Sequence, residues 1–145
     1  MTPLKVALVY GRVDPAAPAD EADTLVQVNA VRAALHALGH ETLDVPVSLD
    51  LGVAAAVLRA ARPAAAFNLA ESLEGRGCLI HLAPSLLDSL GIPYTGAPAE
   101  AILLTSHKLL AKKTLAAAGL PTPPWVTAAR ALAAPPPFPP PWIVK

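Results

Sequence analysis

Strand-length and helix-length apolar patterns alternate along the first part of the chain. The stretch "LKVALVY" (Leu4–Tyr10) is an almost continuous apolar run, which is typical of a parallel strand covered on both faces. Apolar residues then recur at helical spacing from Val28 to Leu38, and Gly39 follows where a left-handed helix end is expected. The pattern predicts a strand followed by a helix.

The same alternation continues along the next segment. "HETLDVPV" (His40–Val47) predicts a second strand, and Ser48 is placed to cap a helix that Pro63 ends. "AAAFNL" (Ala64–Leu69) predicts a short third strand. Four leucines at helical spacing then predict an apolar face turned to the core: Leu79, Leu82, Leu86 and Leu90.

Gly91 is expected to end that helix, and "IPYTG" after it predicts a brief fourth strand. Strands that alternate with helices indicate an α/β fold, in which helices flank a parallel sheet. This pattern accounts for residues 1–97, about the size of one domain.

The remainder, residues 98–145, changes character. Two helices are predicted, Ala99–Thr105 and Ser106–Ala118, with Ser106 as the cap of the second. The proline-rich stretch "ALAAPPPFPPPW" is expected to be extended and not helical. A last strand is predicted in "PPWIVK" (Pro140–Lys145). We interpret this part as the start of a second domain that these residues do not complete.

Composition narrows the class of protein. Hydrophobic residues make up 54% of the chain and charged residues 15%, which is too apolar for a disordered protein. No apolar run has the length of a membrane span, and the first residues lack the pattern of a signal peptide, so a cytoplasmic location is expected. The net charge is zero and no basic cluster occurs, which argues against nucleic acid as a partner.

Common catalytic motifs are missing from the sequence. Neither of the glycine-rich phosphate-binding patterns follows the first strand, and no serine-nucleophile elbow occurs. His36 and His40 flank a predicted helix end, while Cys78 and His81 have no further ligands nearby in the sequence. We therefore predict no metal site in this chain.

Two polar loops follow predicted strands, at the sheet edge where open α/β proteins bind ligands. "ADEAD" (Ala19–Asp23) fits a favourable helix start, and it equally fits carboxylates that hold a substrate ammonium. "FNLAESLEGRG" (Phe67–Gly77) contains Asn68 and Glu71 and fits either a binding loop or an ordinary polar surface loop.

Two lysines differ in their sequence context. Lys108, near Lys112 and Lys113, fits a solvated helical face. Lys145 ends an apolar strand, where a buried ammonium would need an anionic partner such as phosphate.

The order of several motifs resembles one known family. "LGIPYTG", a helix with "HKLLAKK", then "AAGLPTPPW" and "WIVK" are similar to the D-alanine–D-alanine ligases and related ATP-grasp ligases. The resemblance begins at "KVALVYG" and "ALHALGHE" and covers the whole chain. It implies a Rossmann-like pre-ATP-grasp domain over residues 1–97 and, over residues 98–145, the start of an ATP-grasp central domain.

The resemblance also implies chemistry. Lys108 and Lys145 match the two family lysines that contact the phosphates of ATP, and the family forms an acyl-phosphate that an amine then attacks. The catalytic groups and the Mg²⁺ ligands are expected beyond residue 145, so this chain alone is expected to have no ligase activity. A role in making peptidoglycan precursors or related dipeptides, and a homodimer, are further expectations from the resemblance.

The substrate contacts match the family less well. The turn after the first strand is "YGRVDP" where the family has a glycine pair, and the third-strand loop has no histidine. Glu21 or Asp20 is nearest to the glutamate that holds the substrate ammonium in the family, and Asn68 and Glu71 are candidate substrate contacts. The alternative hypothesis is a stand-alone Rossmann-like interaction module without catalysis, while a nicotinamide-binding domain is excluded by the missing glycines.

Overall fold

The computed structural model describes residues 2–13 and 19–143, with the backbone alone for residues 19–22. The chain divides into two compact units, Met1–Ser106 and His107–Lys145. The described strands and helices, in chain order, are β1 (Lys5–Gly11), α1 (Ala19–Ala37), β2 (Glu41–Val47), α2 (Leu51–Ala61), β3 (Ala65–Asn68), α3 (Leu82–Ser89), α4 (Ala99–Ser106), α5 (Lys108–Ala117) and α6 (Ala128–Ala133), with a 3-10 turn at Gly77–Leu79 before α3.

The sheet of the first unit is parallel, with strand order β2-β1-β3 among the described residues. At its centre Val9 is paired with Val45 on one side and with Asn68 on the other. The central position of β1 explains its continuous apolar run, because both faces of a middle strand are covered. The expected α/β architecture with a parallel sheet is confirmed.

Alternate residues of β1 enter two separate apolar clusters, one on each face of the sheet. Ala7 and Val9 belong to the cluster that includes Leu58 of α2 and Leu87 of α3. Leu8 and Tyr10 belong to the cluster with Val28 of α1, on the opposite face. The helices therefore lie on both sides of the sheet.

β2 joins α1 through polar contacts instead of apolar ones. Arg32 donates hydrogen bonds to both carboxylate oxygens of Asp44, at 2.7 and 2.8 Å, and the His36 Nε2 atom lies 2.9 Å from Thr42 Oγ1. Burial raises the pKa of Tyr10 above its ordinary value of 10.0, and the charge of nearby Asp44 raises it further. This side of β2 can be polar because it is an outer strand of the described sheet and only partly covered.

The predicted fourth strand is wrong. Within the described residues, "IPYTG" forms a single parallel bridge between Tyr94 and Ala66. Two hydrogen bonds hold it, from Ala66 N to the Pro93 carbonyl and from Thr95 N to the Ala66 carbonyl. Pro93 has no N–H to extend the ladder, and Gly96 turns the chain away at a φ of 99°.

Two predicted helix caps are also wrong. Asp50, not Ser48, caps α2, where its Oδ1 accepts a hydrogen bond from Gly52 N at 3.1 Å. Ser106 is the last residue of α4, and the His107 ring caps α5 by accepting from Leu110 N. Sequence spacing places caps only within a few residues, since several neighbouring side chains can accept the same hydrogen bond.

The apolar face of α3 is rotated relative to the prediction. Ala83 and Leu87 are completely buried. The four leucines expected to define this face pack around that centre as partly buried residues: Leu79, Leu82, Leu86 and Leu90. Leu79 belongs to the 3-10 turn, so the helical spacing counted from it does not apply to α3.

The second unit departs most from expectation. The stretch expected to be entirely non-helical begins inside α6, which Thr127 caps by accepting from Arg130 N. The prolines follow only after this alanine-rich turn. Residues 140–143 form no strand, and Ile143 is 84% exposed. Lys145 lies outside the described residues.

Among the described residues, no helix is both long enough and apolar enough to cross a membrane.

Candidate functional site

A small cleft lies at the carboxyl edge of the sheet, where β1 ends and the loop after β3 begins. Its cavity volume is about 20 Å³, room for one water molecule. The lining residues come from the end of β1, from α1 and from the loop: Gly11, Arg12, Val13, Thr24, Glu71, Ser72, Glu74 and Gly75. The cleft therefore combines one guanidinium with two carboxylates.

The loop between β3 and the 3-10 turn is fixed by its own contacts. Leu73 is completely buried in the core beneath α2 and α3. Leu73 and Arg76 exchange backbone hydrogen bonds across a tight turn in which Glu74 and Gly75 have φ angles of 51° and 71°. Two successive positive φ values are typical of a type I′ turn. The Glu74 carboxylate also accepts a hydrogen bond from Leu49 N at 3.3 Å.

Gly11 allows this loop to approach the end of β1. The separation between a Cβ atom at position 11 and the Ser72 carbonyl oxygen would be too short. That separation is far below van der Waals contact, and the obstructing atom belongs to the backbone. Any larger residue at position 11 would push the loop away, and with it the residues on either side of Ser72.

Two of the predicted substrate residues lie on this loop and its approach. Glu71 accepts a hydrogen bond from Gln27 Nε2 of α1 at 3.2 Å, which ties the loop to the helix. The Asn68 side chain accepts from Ala70 N, and its own backbone N–H donates to Thr95 Oγ1. The oxygen of Asn68 thus shapes the turn, while Glu71 lines the cleft.

Asp20 and Glu21 belong to the first turn of α1, but their side chains lie outside the described residues. Their role as ammonium-binding carboxylates stays a prediction.

Lys108 is the first residue of α5, in the second unit, and its side chain is exposed. The first turn of α5 contains no acidic residue. Because the N-terminal end of a helix carries a partial positive charge, a lysine there costs stability unless an anion is nearby.

Across the residues that the structure describes, no three His, Cys, Asp or Glu side chains come close enough to hold a metal ion. Cys78 is exposed and free.

Curated relatives match most of the chain. The D-alanine–D-alanine ligase of Moorella thermoacetica is 31% identical over 121 residues, which are 83% of this chain and 36% of that protein. The enzyme of the same name from Gluconobacter oxydans is 32% identical over 143 residues, which are 98% of this chain and 45% of that protein. This chain is similar in sequence to D-alanine–D-alanine ligases. The suspected resemblance is confirmed.

A solved D-alanine–D-alanine ligase, from Bacillus anthracis, has the same fold over the matched region. The TM-score is 0.64 at 21% identity, and the match covers 85% of this chain and 37% of that enzyme. The chain spans less than half the length of these ligases. No protein-family model matches it.

Three residues that line or support the cleft were missed by the sequence analysis. Arg12 and Thr24 line the cleft, and Gln27 holds Glu71. Asp20, Thr24 and Gln27 follow i, i+4, i+7 spacing, so helical periodicity extended back from Gln27 could have found this face of α1.

Charge distribution is a second missed signal. All 11 acidic residues of the chain lie at or before Glu100. The segment from His107 onward has no carboxylate side chain and carries five basic ones: Lys108, Lys112, Lys113, Arg130 and Lys145. The neutral total conceals this asymmetry, which calculation of the charge for each predicted domain would have revealed.

Proposed function

We propose that this chain is the N-terminal part of an ATP-dependent carboxylate–amine ligase of the D-alanine–D-alanine ligase type. The observation that carries the proposal is the match to the Gluconobacter oxydans ligase along 98% of the chain. In the proposed reaction a substrate carboxylate takes the γ-phosphoryl group of ATP, which releases ADP. The amine of a second amino acid then attacks the acyl-phosphate and displaces phosphate.

Lys108 would bind a phosphate of ATP. Its exposed ammonium, its place on the first residue of α5 and the absence of carboxylates from His107 onward all support this role. A fixed cation next to the phosphates stabilises negative charge as it moves during transfer, which is the main catalytic requirement of phosphoryl transfer. Lys145 is proposed as the second phosphate-binding lysine.

The cleft of the first unit would contribute to the amino-acid site. A free amino acid carries one ammonium and one carboxylate, and the cleft presents Arg12 together with Glu71 and Glu74. Glu21 or Asp20 is proposed to bind the ammonium, with Glu71 and Asn68 nearby. The present volume of about 20 Å³ is too small for an amino acid, so binding requires local opening or side-chain movement.

The remaining machinery is assigned to the rest of the ligase. No acidic cluster of three occurs among the described residues. The Mg²⁺ ligands and the catalytic groups are proposed to lie beyond residue 145 on the resemblance to the ligases alone. In this view residues 1–97 are the pre-ATP-grasp domain and residues 98–145 begin the ATP-grasp central domain. The chain alone would be inactive, and the ligase would be a cytoplasmic homodimer that makes peptidoglycan precursors or related dipeptides.

The first experiment is the intact mass of the protein expressed from its complete, unmodified gene. We expect a mass well above 14.9 kDa, followed by ADP release that depends on D-alanine or another amino acid. A panel of amino acids, each compared with a reaction lacking any, would identify the substrate. A mass of 14.9 kDa would contradict the proposal and favour the interaction-module alternative. A longer protein that released no ADP with any amino acid would contradict the ligase activity.

A further inference from the structure

Three lysines of α5 that look equivalent in sequence have different surroundings in the structure. Lys108 and Lys113 are exposed, and neither side chain makes a hydrogen bond within the described residues. Lys112 is partly buried, and its Nζ atom donates to Thr122 Oγ1 at 3.0 Å and to the Pro123 carbonyl oxygen at 2.9 Å. The Lys112 ammonium thus makes its hydrogen bonds within the protein.

The segment that Lys112 contacts has few other ways to be held. Three of the five residues in Leu120–Pro124 are prolines, which have no backbone N–H. The Leu120 N–H donates a hydrogen bond to the Leu115 carbonyl oxygen, where the chain reverses after Gly119. Leu120 is 53% exposed, so apolar burial does not fix the segment either.

A lysine suits such a segment chemically. An ammonium has three donors and no acceptor, while a proline-rich backbone offers mainly acceptors. Because no carboxylate occurs from His107 onward, Lys112 has no acidic partner in its own unit. Two neutral oxygens take that place, and charge-assisted hydrogen bonds are stronger than neutral ones.

We infer that Lys112 is a positioning residue that latches the segment Leu120–Pro124 to α5 and thereby sets the affinity for ATP. The inference rests on the proposed function in one respect, the assignment of Lys108 to a phosphate of ATP. Lys108 lies one helical turn before Lys112, and the latched segment is the connection that leads from α5 toward Lys145. Loss of the latch would leave α5, and with it Lys108, less firmly packed in its unit, and misplacement of a binding group weakens the site.

The test compares matched lysine variants of the protein made from the complete gene. Affinity for the nonhydrolysable analogue AMP-PNP is measured by calorimetry, which does not require the amino-acid substrate to be known. We expect Lys112→Met to weaken AMP-PNP binding about tenfold, and Lys112→Arg, which keeps donors and charge, to recover most of the loss. Lys113→Met removes the same charge from the neighbouring exposed position and should bind within about twofold of the wild type.

Hydrogen exchange of a peptide covering residues 116–127, which includes the hydrogen-bonded amide of Leu120, measures the latch without any ligand. Lys112→Met should accelerate exchange there, and Lys113→Met should not. Thr122→Val, which removes one acceptor, should be non-additive with Lys112→Met.

Unchanged exchange in Lys112→Met would overturn the latch. Faster exchange with AMP-PNP affinity equal to that of Lys113→Met would overturn its effect on ATP. Failure of the proposed function gives a different result: Lys108→Ala would then bind AMP-PNP normally, while the exchange measurement would still decide whether the latch exists.

Discussion

The two units of this chain are stabilised by different interactions. Met1–Ser106 contains two apolar clusters, one on each face of a parallel sheet, and all the acidic residues of the chain. Among the described residues from 107 to 143, no side chain is fully buried, and every charged side chain is basic. Burial of apolar surface thus organises the first unit, while hydrogen bonds such as those of Lys112 organise the second.

The apolar core therefore lies in the first unit, and the second unit has only basic charged side chains. A substitution in the second unit should therefore change ligand affinity more than stability, and a core substitution in the first should do the reverse.

The largest expected effect is on turnover, from Lys108→Ala. Loss of one cation at the phosphates should reduce ATP-dependent turnover of the complete protein about 10²-fold, and Lys145→Ala should behave similarly. Steady-state ADP release measures this turnover, and Lys113→Ala is the control that loses the same charge. The unfolding midpoint should stay unchanged, and turnover near that of the wild type would refute the phosphate role.

Leu87→Ala should have the largest effect on stability. Leu87 is completely buried between α3 and the sheet, so truncation should cost roughly 2–5 kcal/mol. Leu132→Ala is the matched control: Leu132 is 89% exposed in α6, so its truncation should leave the free energy of unfolding almost unchanged. Urea unfolding of both variants provides the comparison, and similar losses would contradict the difference between the units.

Gly11→Ala should have an intermediate effect. The added Cβ would overlap the Ser72 carbonyl oxygen, and relieving that overlap should cost about 1–3 kcal/mol. Displacement of the loop should also raise the KM for the amino-acid substrate more than the KM for ATP. Gly39→Ala is a useful control, since a Cβ there meets no atom within 4 Å and only its φ of 80° is unfavourable. Equal effects of the two variants on amino-acid KM would remove the loop from the site.

The smallest effect is expected for Asp44→Asn, which weakens the ion pair with Arg32. The side chains are 27% and 47% exposed, so water and salt screen the pair and its loss should cost about 0.2–1 kcal/mol. The difference from wild type should shrink further in high salt. A loss above about 2 kcal/mol, by the same unfolding measurement, would mean that polar contacts hold β2 more strongly than this pair accounts for.

The sequence predicts the first unit well because its signals are periodic. The apolar run of β1 and the left-handed turn at Gly39 are both observed. Errors occur where the outcome depends on one local contact, as with the choice of Asp50 over Ser48 as a cap. The single bridge at Tyr94 is a similar case, because Pro93 prevents a longer ladder.

In the second unit the predicted helix Ser106–Ala118 is observed as α5, while the segment after α5 is predicted poorly. The described residues of the second unit include no buried side chain, so apolar periodicity there does not reflect packing against a core. The sequence pattern also does not predict α6, which directly precedes the proline-rich stretch. The candidate site falls between these extremes. Its position at the strand ends and its loop are predictable, while the contact of Gln27 with Glu71 depends on tertiary packing. The phosphate assignments came from resemblance to the ligases and stay predictions.

Burial of Leu73 restricts the motion of the loop after β3. A segment with a fully buried leucine at its middle, a tight turn beside it and the Gly11 backbone against it cannot swing open without unfolding part of the core. Such opening is slow and rare compared with the motion of an exposed loop. This loop is therefore a fixed wall of the cleft, and if the cleft binds the proposed substrate, its opening depends on the movement of other segments.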